Sequence, residues 1–511
     1  MRKGKKFILN TIILSLTSLF MRTVGVSFNV YISNKLGASG VGLFQLVMSV
    51  YTFAVTLASS GINLATTRLV TEELANGSAR GARLAVRRCL CYSLFFGSVA
   101  AIGLFLFAKP IGEIILSDAR TVKSLYALSI SLVPIALSAA LTGYFTAVRR
   151  VIKSASAQIF EQFIRISVAV MGLSILAPKG IEYACLAIVA GGSIAEILSF
   201  VYEFILYKSD IKKCKGKMPA TKGMLKRLIS IAMPVAISSY ARSALTTTEH
   251  ILVPPKLREY GYSKETALAK YGVVHGMALP VLLFPSAFLT SFSLLLVPEL
   301  AECNAHKNMR RIHYIISRVL HVTLIFAIGV SGIFFAFSNE LGMVVYKSGE
   351  AGMYLKIFAP LIIVMYLDSV VDGMLKGLNQ QLSSMQYNVI DSLVSVIMVY
   401  FLIPAFGIGG FVAVIFICEL LNGFLSLNRL IKVTDFKIEY YNWIVKPIFA
   451  IISSVIIVKI LCFFFAPLAE LTIFALVCQI ASAVLIYLLL LFIMSCITGE
   501  DIDLLRSVLK K

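Results

Sequence analysis

CLCYSLFFGSVAAIGLFLFA, residues 89–108, carries neither a charge nor a proline. A helix of that length is about 30 Å long, the thickness of a bilayer's hydrocarbon core. A barrel strand would alternate apolar and polar residues over about ten positions, and this stretch does not alternate. A helix also satisfies its own backbone N–H and C=O groups, which hydrocarbon cannot do. The same reading applies to IFALVCQIASAVLIYLLLLFIMSCI, residues 473–497. Working outward, the 511 residues are 59% hydrophobic and 14% charged, with mean hydropathy +0.88. Soluble domains carry about 25% charged residues, so the chain reads as an all-α integral membrane protein.

Apolar runs set against charged breaks predict fourteen transmembrane helices. They cover 7–32, 41–62, 88–108, 124–148, 157–176, 183–206, 228–253, 271–296, 312–337, 354–375, 387–403, 409–429, 446–466 and 472–497. The start, MRKGKK followed by an apolar run, lacks a small-residue cleavage site and reads as a retained first span. With that end inside, inner segments together with the adjoining inner ends of the spans hold 32 of the 47 Lys and Arg, outer loops hold 10, and the other five lie elsewhere in the spans. This asymmetry predicts a multi-pass protein of the cytoplasmic membrane with both termini cytoplasmic. The net charge of +21 is therefore an orientation device facing anionic lipid, and no nucleic-acid partner is expected. Nine cysteines form no CxxC and no Cys/His metal spacing, so neither a disulfide framework nor a metal is expected.

Two halves of the chain repeat. SLFMR ending at Arg22 matches SSYAR ending at Arg242, and Glu73-Leu74-Ala75 matches Glu299-Leu300-Ala301. Pro134 matches Pro360, and Gly180-Ile181 matches Gly407-Ile408, all at offsets of 220 to 227. Six spans is an even number, so the repeats enter the membrane in the same direction, as in two-lobed secondary transporters that work by alternating access. The expected division is an N-lobe at 1–206, a basic cytoplasmic linker at 207–227 and a C-lobe at 228–430. An additional helix pair at 446–497 and a cytoplasmic tail at 498–511 complete it.

A charge at bilayer depth costs about 2.5–3.5 kcal/mol, so such residues line a cavity or pair with one another. Arg22 and Arg242 lie midway along the first and seventh spans, and a guanidinium fork suits phosphate oxygens. They are candidate substrate-binding residues for a phosphate or pyrophosphate headgroup; the competing reading for Arg242 is a pair with Glu249. Arg68 marks either the cytoplasmic mouth or a snorkelling interfacial arginine. Arg165 reads as an i,i+4 partner of Glu161. Asp368, Asp372 and Lys376 form a stripe on the tenth span, with the two aspartates as candidate ion-coupling residues unless Lys376 neutralises Asp372. Glu196 and Glu419 read as packing carboxylates. No phosphate-binding glycine loop, HExxH or nucleophile elbow is present, so no catalytic residue, cofactor or enzymatic activity is expected.

Several stretches carry a family resemblance: SNKLGASGVGLFQL (33–46), GINLATTRLVTEELA (61–75), PVAISSYAR (234–242), LVPPKLREYGYS (252–263), FPSAFLTSFSLLLVPELAE (284–302) and LDSVVDGMLKGLNQQ (367–381). Together they resemble the stage V sporulation protein B family. That family lies in the polysaccharide-transporter branch of the multidrug/oligosaccharidyl-lipid/polysaccharide (MOP) exporter superfamily, and the fourteen-span count is similar to the MurJ lipid II flippases. The resemblance implies a V-shaped two-lobed fold with a cationic cavity. It also implies a flippase for undecaprenyl-pyrophosphate-linked precursors of peptidoglycan, including spore cortex, with the last two spans forming a groove for the lipid tail. Arg22 sits where MurJ proteins place a cavity arginine, and Arg68 near their basic pair. Two departures are an absence of acid in the second span and of arginine in the eighth, which leaves Arg242 as the substitute. The implied partners are a lipid-linked saccharide and membrane lipid.

Three other readings stay open. A drug/cation antiporter of the same superfamily favours an acidic site, which cavity arginines oppose. A membrane assembly factor would recruit cell-wall synthesis machinery through its surface. A membrane-embedded glycosyltransferase would need acids on a larger outer loop than Pro254–Lys270.

Overall fold

The computed structural model describes residues 2–211, 223–436, 439–465 and 473–496. Much of the expected 207–227 linker and the whole 498–511 tail lie outside the described residues. Among the described residues all regular structure is helical, with no strand. Thirteen stretches are long and apolar enough to cross a membrane. The first, Phe20–Ala75, has 56 residues, about 84 Å of helix and so too long for one crossing. It bends at Gly37, whose φ of 68° lies in the left-handed region that costs glycine nothing. Counted as two crossings, it brings the total to the expected fourteen.

Three elements differ from the sequence expectation. The second crossing continues beyond residue 62 through a further helix, Ile62–Ala75, after a turn at Gly61 (φ 78°). The segment before the tenth span contains a short helix, Ser338–Tyr346, that the sequence reading did not expect. The eighth span, expected as one helix over 271–296, is broken. It runs as Lys264–Tyr271, a π-helical stretch Gly272–Ala278, a single turn Leu279–Leu283 and then Ser286–Ala305. Pro280 and Pro285 explain this, because each lacks an N–H donor and its ring crowds the carbonyl four residues back.

By packing, the described chain divides into two compact units that do not follow chain order. Unit I holds residues 18–34 and the described residues from Lys270 onward; unit II holds the described residues of Lys35–Ala269. In unit II the fifth span packs on the sixth, and the fourth on the third and sixth. Its core includes Leu69, Val86, Cys89, Tyr144, Phe145 and Leu228. Gly143 lets the fourth span approach the Ile62–Ala75 helix, since a Cβ there would stand 2.6 Å from the Asn63 carbonyl oxygen. In unit I the tenth span packs on the eighth, ninth and twelfth, and the eleventh on the twelfth. The thirteenth packs on the ninth and on the fourteenth, and the Tyr487 hydroxyl of the fourteenth donates to the Ile325 carbonyl of the ninth at 2.8 Å. Outward-facing Phe463 and Phe474 are about three-quarters exposed, an arrangement that hydrocarbon tolerates and water would not.

Candidate functional site

The break in the eighth span frees backbone carbonyls, and a carbonyl left unpaired at membrane depth costs several kcal/mol. Four side chains from other elements meet them. The Asn29 amide donates to the Gly276 carbonyl at 2.8 Å, the Tyr346 hydroxyl to Met277 at 3.0 Å and the Tyr366 hydroxyl to Leu282 at 2.5 Å. Arg22 Nη2 donates to the Leu283 carbonyl at 3.2 Å and reaches Ser286 Oγ at 3.4 Å. Arg22 is half-buried, in unit I, and forms no ion pair among the described residues.

Arg242 stands in unit II on an otherwise pinned helix. Tyr240 donates to the Leu57 carbonyl at 3.1 Å, Ser243 to Thr56 Oγ1 at 3.2 Å and Thr247 to the Ser49 carbonyl at 3.2 Å. Those contacts hold one helix face against the second span, while Arg242 is exposed and forms no ion pair among the described residues. The pairing with Glu249 weighed from sequence is therefore not made. Seven residues along a helix is about 10.5 Å, and only residues three or four apart are close neighbours.

The other candidates have protein partners. Arg68 Nε meets Glu72 at 3.1 Å; Glu72 also pairs with Arg227, which in turn reaches buried Glu73 at 3.4 Å. Asp372 is met by Lys376 at 2.5 Å and by the Ser384 hydroxyl. Asp368 accepts from Asn422 Nδ2 at 3.0 Å, a contact between the tenth and twelfth spans. Arg165 pairs with Glu161 at 2.5 Å as the spacing predicted, and also with Glu196 at 2.9 Å, 31 residues away. Among the described residues no three His, Cys, Asp or Glu side chains gather as a metal-ligand set.

Unit II also contains an apolar cavity of about 590 Å³, lined by residues that include Phe53, Leu57, Phe96, Phe107, Ile115 and Tyr240. Its rim includes the π-helical turn Ile111–Ile115 that follows Pro110. Sequence reasoning missed this cavity, and it missed Asn29, Ser286, Tyr346 and Tyr366. The two prolines of the eighth span were the available signal for those side chains.

Residues 7–259 match the family described as Polysaccharide biosynthesis protein. Stage V sporulation protein B of Bacillus subtilis (strain 168) is 30% identical over 416 residues, 79% of either chain. The solved structure of "Lipid II flippase MurJ, inward closed conformation" is similar with a TM-score of 0.70 at 16% identity, covering 94% of this chain and 98% of that one. An inward-facing multidrug resistance MATE family transporter of the MOP superfamily gives 0.62 at 13% identity, covering 82% and 98%. At those identities the two structures speak for the fold, and the Bacillus relative speaks for the family. The chain is a multi-pass membrane protein and belongs to the family of stage V sporulation protein B.

Proposed function

We propose that this chain flips an undecaprenyl-pyrophosphate-linked saccharide, a peptidoglycan precursor, across the cytoplasmic membrane by alternating access. The observation that carries the reading is Arg22: a guanidinium in mid-span, held through one nitrogen, whose Nε and Nη1 donors have no described partner. Open donors at that depth suit a phosphate that brings its own charge. Arg242, without an ion pair on its helix, supplies a second such donor. Support at the family level comes from the stage V sporulation protein B relative and from the fold similarity to a protein named as a lipid II flippase. The pyrophosphate needs cationic donors and the prenyl chain needs an apolar wall. The unit II cavity is one such wall, and the last two spans remain the second candidate for it. Arg68 and Asp368 take supporting parts, Arg68 at the inner mouth and Asp368 in ion coupling, while Asp372 is taken up by its pair with Lys376. The reading is of transport without bond chemistry.

The test is reconstitution in liposomes with labelled lipid-linked precursors. Protein-dependent movement of a polyprenyl-pyrophosphate sugar between leaflets is expected, and failure to move any such lipid removes the proposal. The 32-to-10 cation asymmetry supports an orientation with both termini and the 207–227 segment in the cytoplasm and 254–270 outside. Accessibility labelling that put the C-terminal end outside would overturn that orientation.

A further inference from the structure

Resting on the headgroup reading above, we infer that Ser286 is the positioning residue for Arg22. The geometry is a triangle. Arg22 Nη2 lies 3.2 Å from the Leu283 carbonyl oxygen and 3.4 Å from Ser286 Oγ, and Ser286 Oγ lies 2.7 Å from that same carbonyl oxygen. The shortest of the three contacts commits the serine hydrogen to Leu283, so the hydroxyl lone pairs are what face the guanidinium. The carbonyl and the hydroxyl stand so close together that they share one Nη2 hydrogen, which leaves the second Nη2 hydrogen and those of Nε and Nη1 without a described partner.

The direction of dependence follows from redundancy at the break. Gly276, Met277 and Leu282 each have a donor of their own in Asn29, Tyr346 and Tyr366. Leu283 already has its donor in Ser286, at 2.7 Å. The longer Arg22 contact is a second one, which the break does not need for its backbone to be satisfied. Arg22 gains more than the break does. An arginine side chain has large rotamer freedom, and fixing one nitrogen removes much of it before an anion arrives. A preorganised fork loses less on binding than a free one. Ser286 is only 6% exposed, so its own rotamer is held by packing, as a support for a binding group should be.

The experiment uses the full chain in vesicles, with inorganic pyrophosphate as the binding probe and a labelled polyprenyl-pyrophosphate sugar as the transport substrate. Ser286→Ala should raise the half-saturating concentration of both by about three- to tenfold, with maximal transport rate within about twofold of the parent. Ser286→Thr keeps the hydroxyl and should stay near the parent. Tyr346→Phe removes the anchor at Met277, away from Arg22 and Ser286, and should leave half-saturation unchanged. If Tyr346→Phe shifts half-saturation as much as Ser286→Ala does, the effect is a general loosening of the break and the inference is overturned. If Arg22→Ala abolishes transport while Ser286→Ala shifts nothing, the inference fails and the headgroup reading stands. If Arg22→Ala transports normally, the reading itself fails and takes the inference with it.

Discussion

In unit I, Arg22 is tied by one nitrogen to the broken eighth span, beside a carbonyl that a serine already satisfies. In unit II, Arg242 sits at the matching place in the sequence repeat, on a helix fastened to its neighbour through Tyr240, Ser243 and Thr247, yet its own guanidinium is not paired. One arginine is built into backbone architecture and the other is carried by it. Equivalent positions in a repeat therefore need not do equivalent structural work. A substitution at Arg22 disturbs binding and local packing together, whereas one at Arg242 isolates the loss of a charge.

The largest effect should come from Arg22→Ala. A charge-assisted contact to phosphate is worth about 1.5–3 kcal/mol, so liposome transport should fall by at least about tenfold. The melting temperature should fall slightly too, because the contacts of Arg22 with Leu283 and Ser286 are lost, although Ser286 still satisfies the Leu283 carbonyl. Arg22→Lys keeps the charge without the fork and should recover part of the activity. Arg242→Ala should also cost transport about tenfold, with unfolding free energy within about 0.5 kcal/mol of the parent. An equal drop in melting temperature for both variants would erase the distinction between them.

A sharper probe is Arg242→Ala combined with Glu249→Ala. Since the two side chains do not pair, the double variant should be no better than Arg242→Ala alone, and recovery of parental transport would rule out an anion-binding role at Arg242.

The smallest effect belongs to a clasp at the opposite end of unit II from Arg227. Asp118, 2% exposed, receives Arg120 Nη2 at 2.6 Å and Lys264 Nζ at 3.3 Å. Burial works against its charged form, but the hydrogen bonds and charge of Arg120, with Lys264, outweigh it and hold the carboxyl below the usual range. A lowered folded-state pKa stabilises the fold above the unfolded value near 3.9 and gives that stability up as pH falls through the folded value. Asp118→Asn should therefore be less stable at neutral pH, by about 1 kcal/mol, and the deficit should shrink in acid. Melting curves from pH 7 to pH 3 check this, and a deficit that grew on acidification would contradict it.

Spans and depth-placed charges were legible in the sequence because hydropathy and charge are local quantities. The break at residues 284–285 was not read, although both prolines were visible, because the run from Val273 to Phe292 stays apolar across it. Hydropathy does not register a lost backbone hydrogen bond. Ser286 gave no signal at all, since a lone serine in an apolar helix most often bonds its own backbone. Glu161 was found as a partner of Arg165 from its spacing, and Glu196 was missed because only the packing of the fifth span on the sixth brings it within reach. The Glu249 alternative used helical periodicity correctly for facing but not for distance.

The noncontiguous make-up of unit I sets a timetable for synthesis. Arg22 emerges early, but Leu283 lies 261 residues later in the chain. At about 5–20 residues per second the ribosome needs roughly 13–50 s to cover that interval. Throughout it, a mid-span guanidinium has none of its mature backbone partners, at a cost of about 2.5–3.5 kcal/mol if it enters lipid unaided. Unit II has no such wait, because its residues from Lys35 to Ala269 are all translated before the eighth span is complete. Chain order thus lets unit II pack before the eighth span is made, while the first span waits for a partner translated long after it.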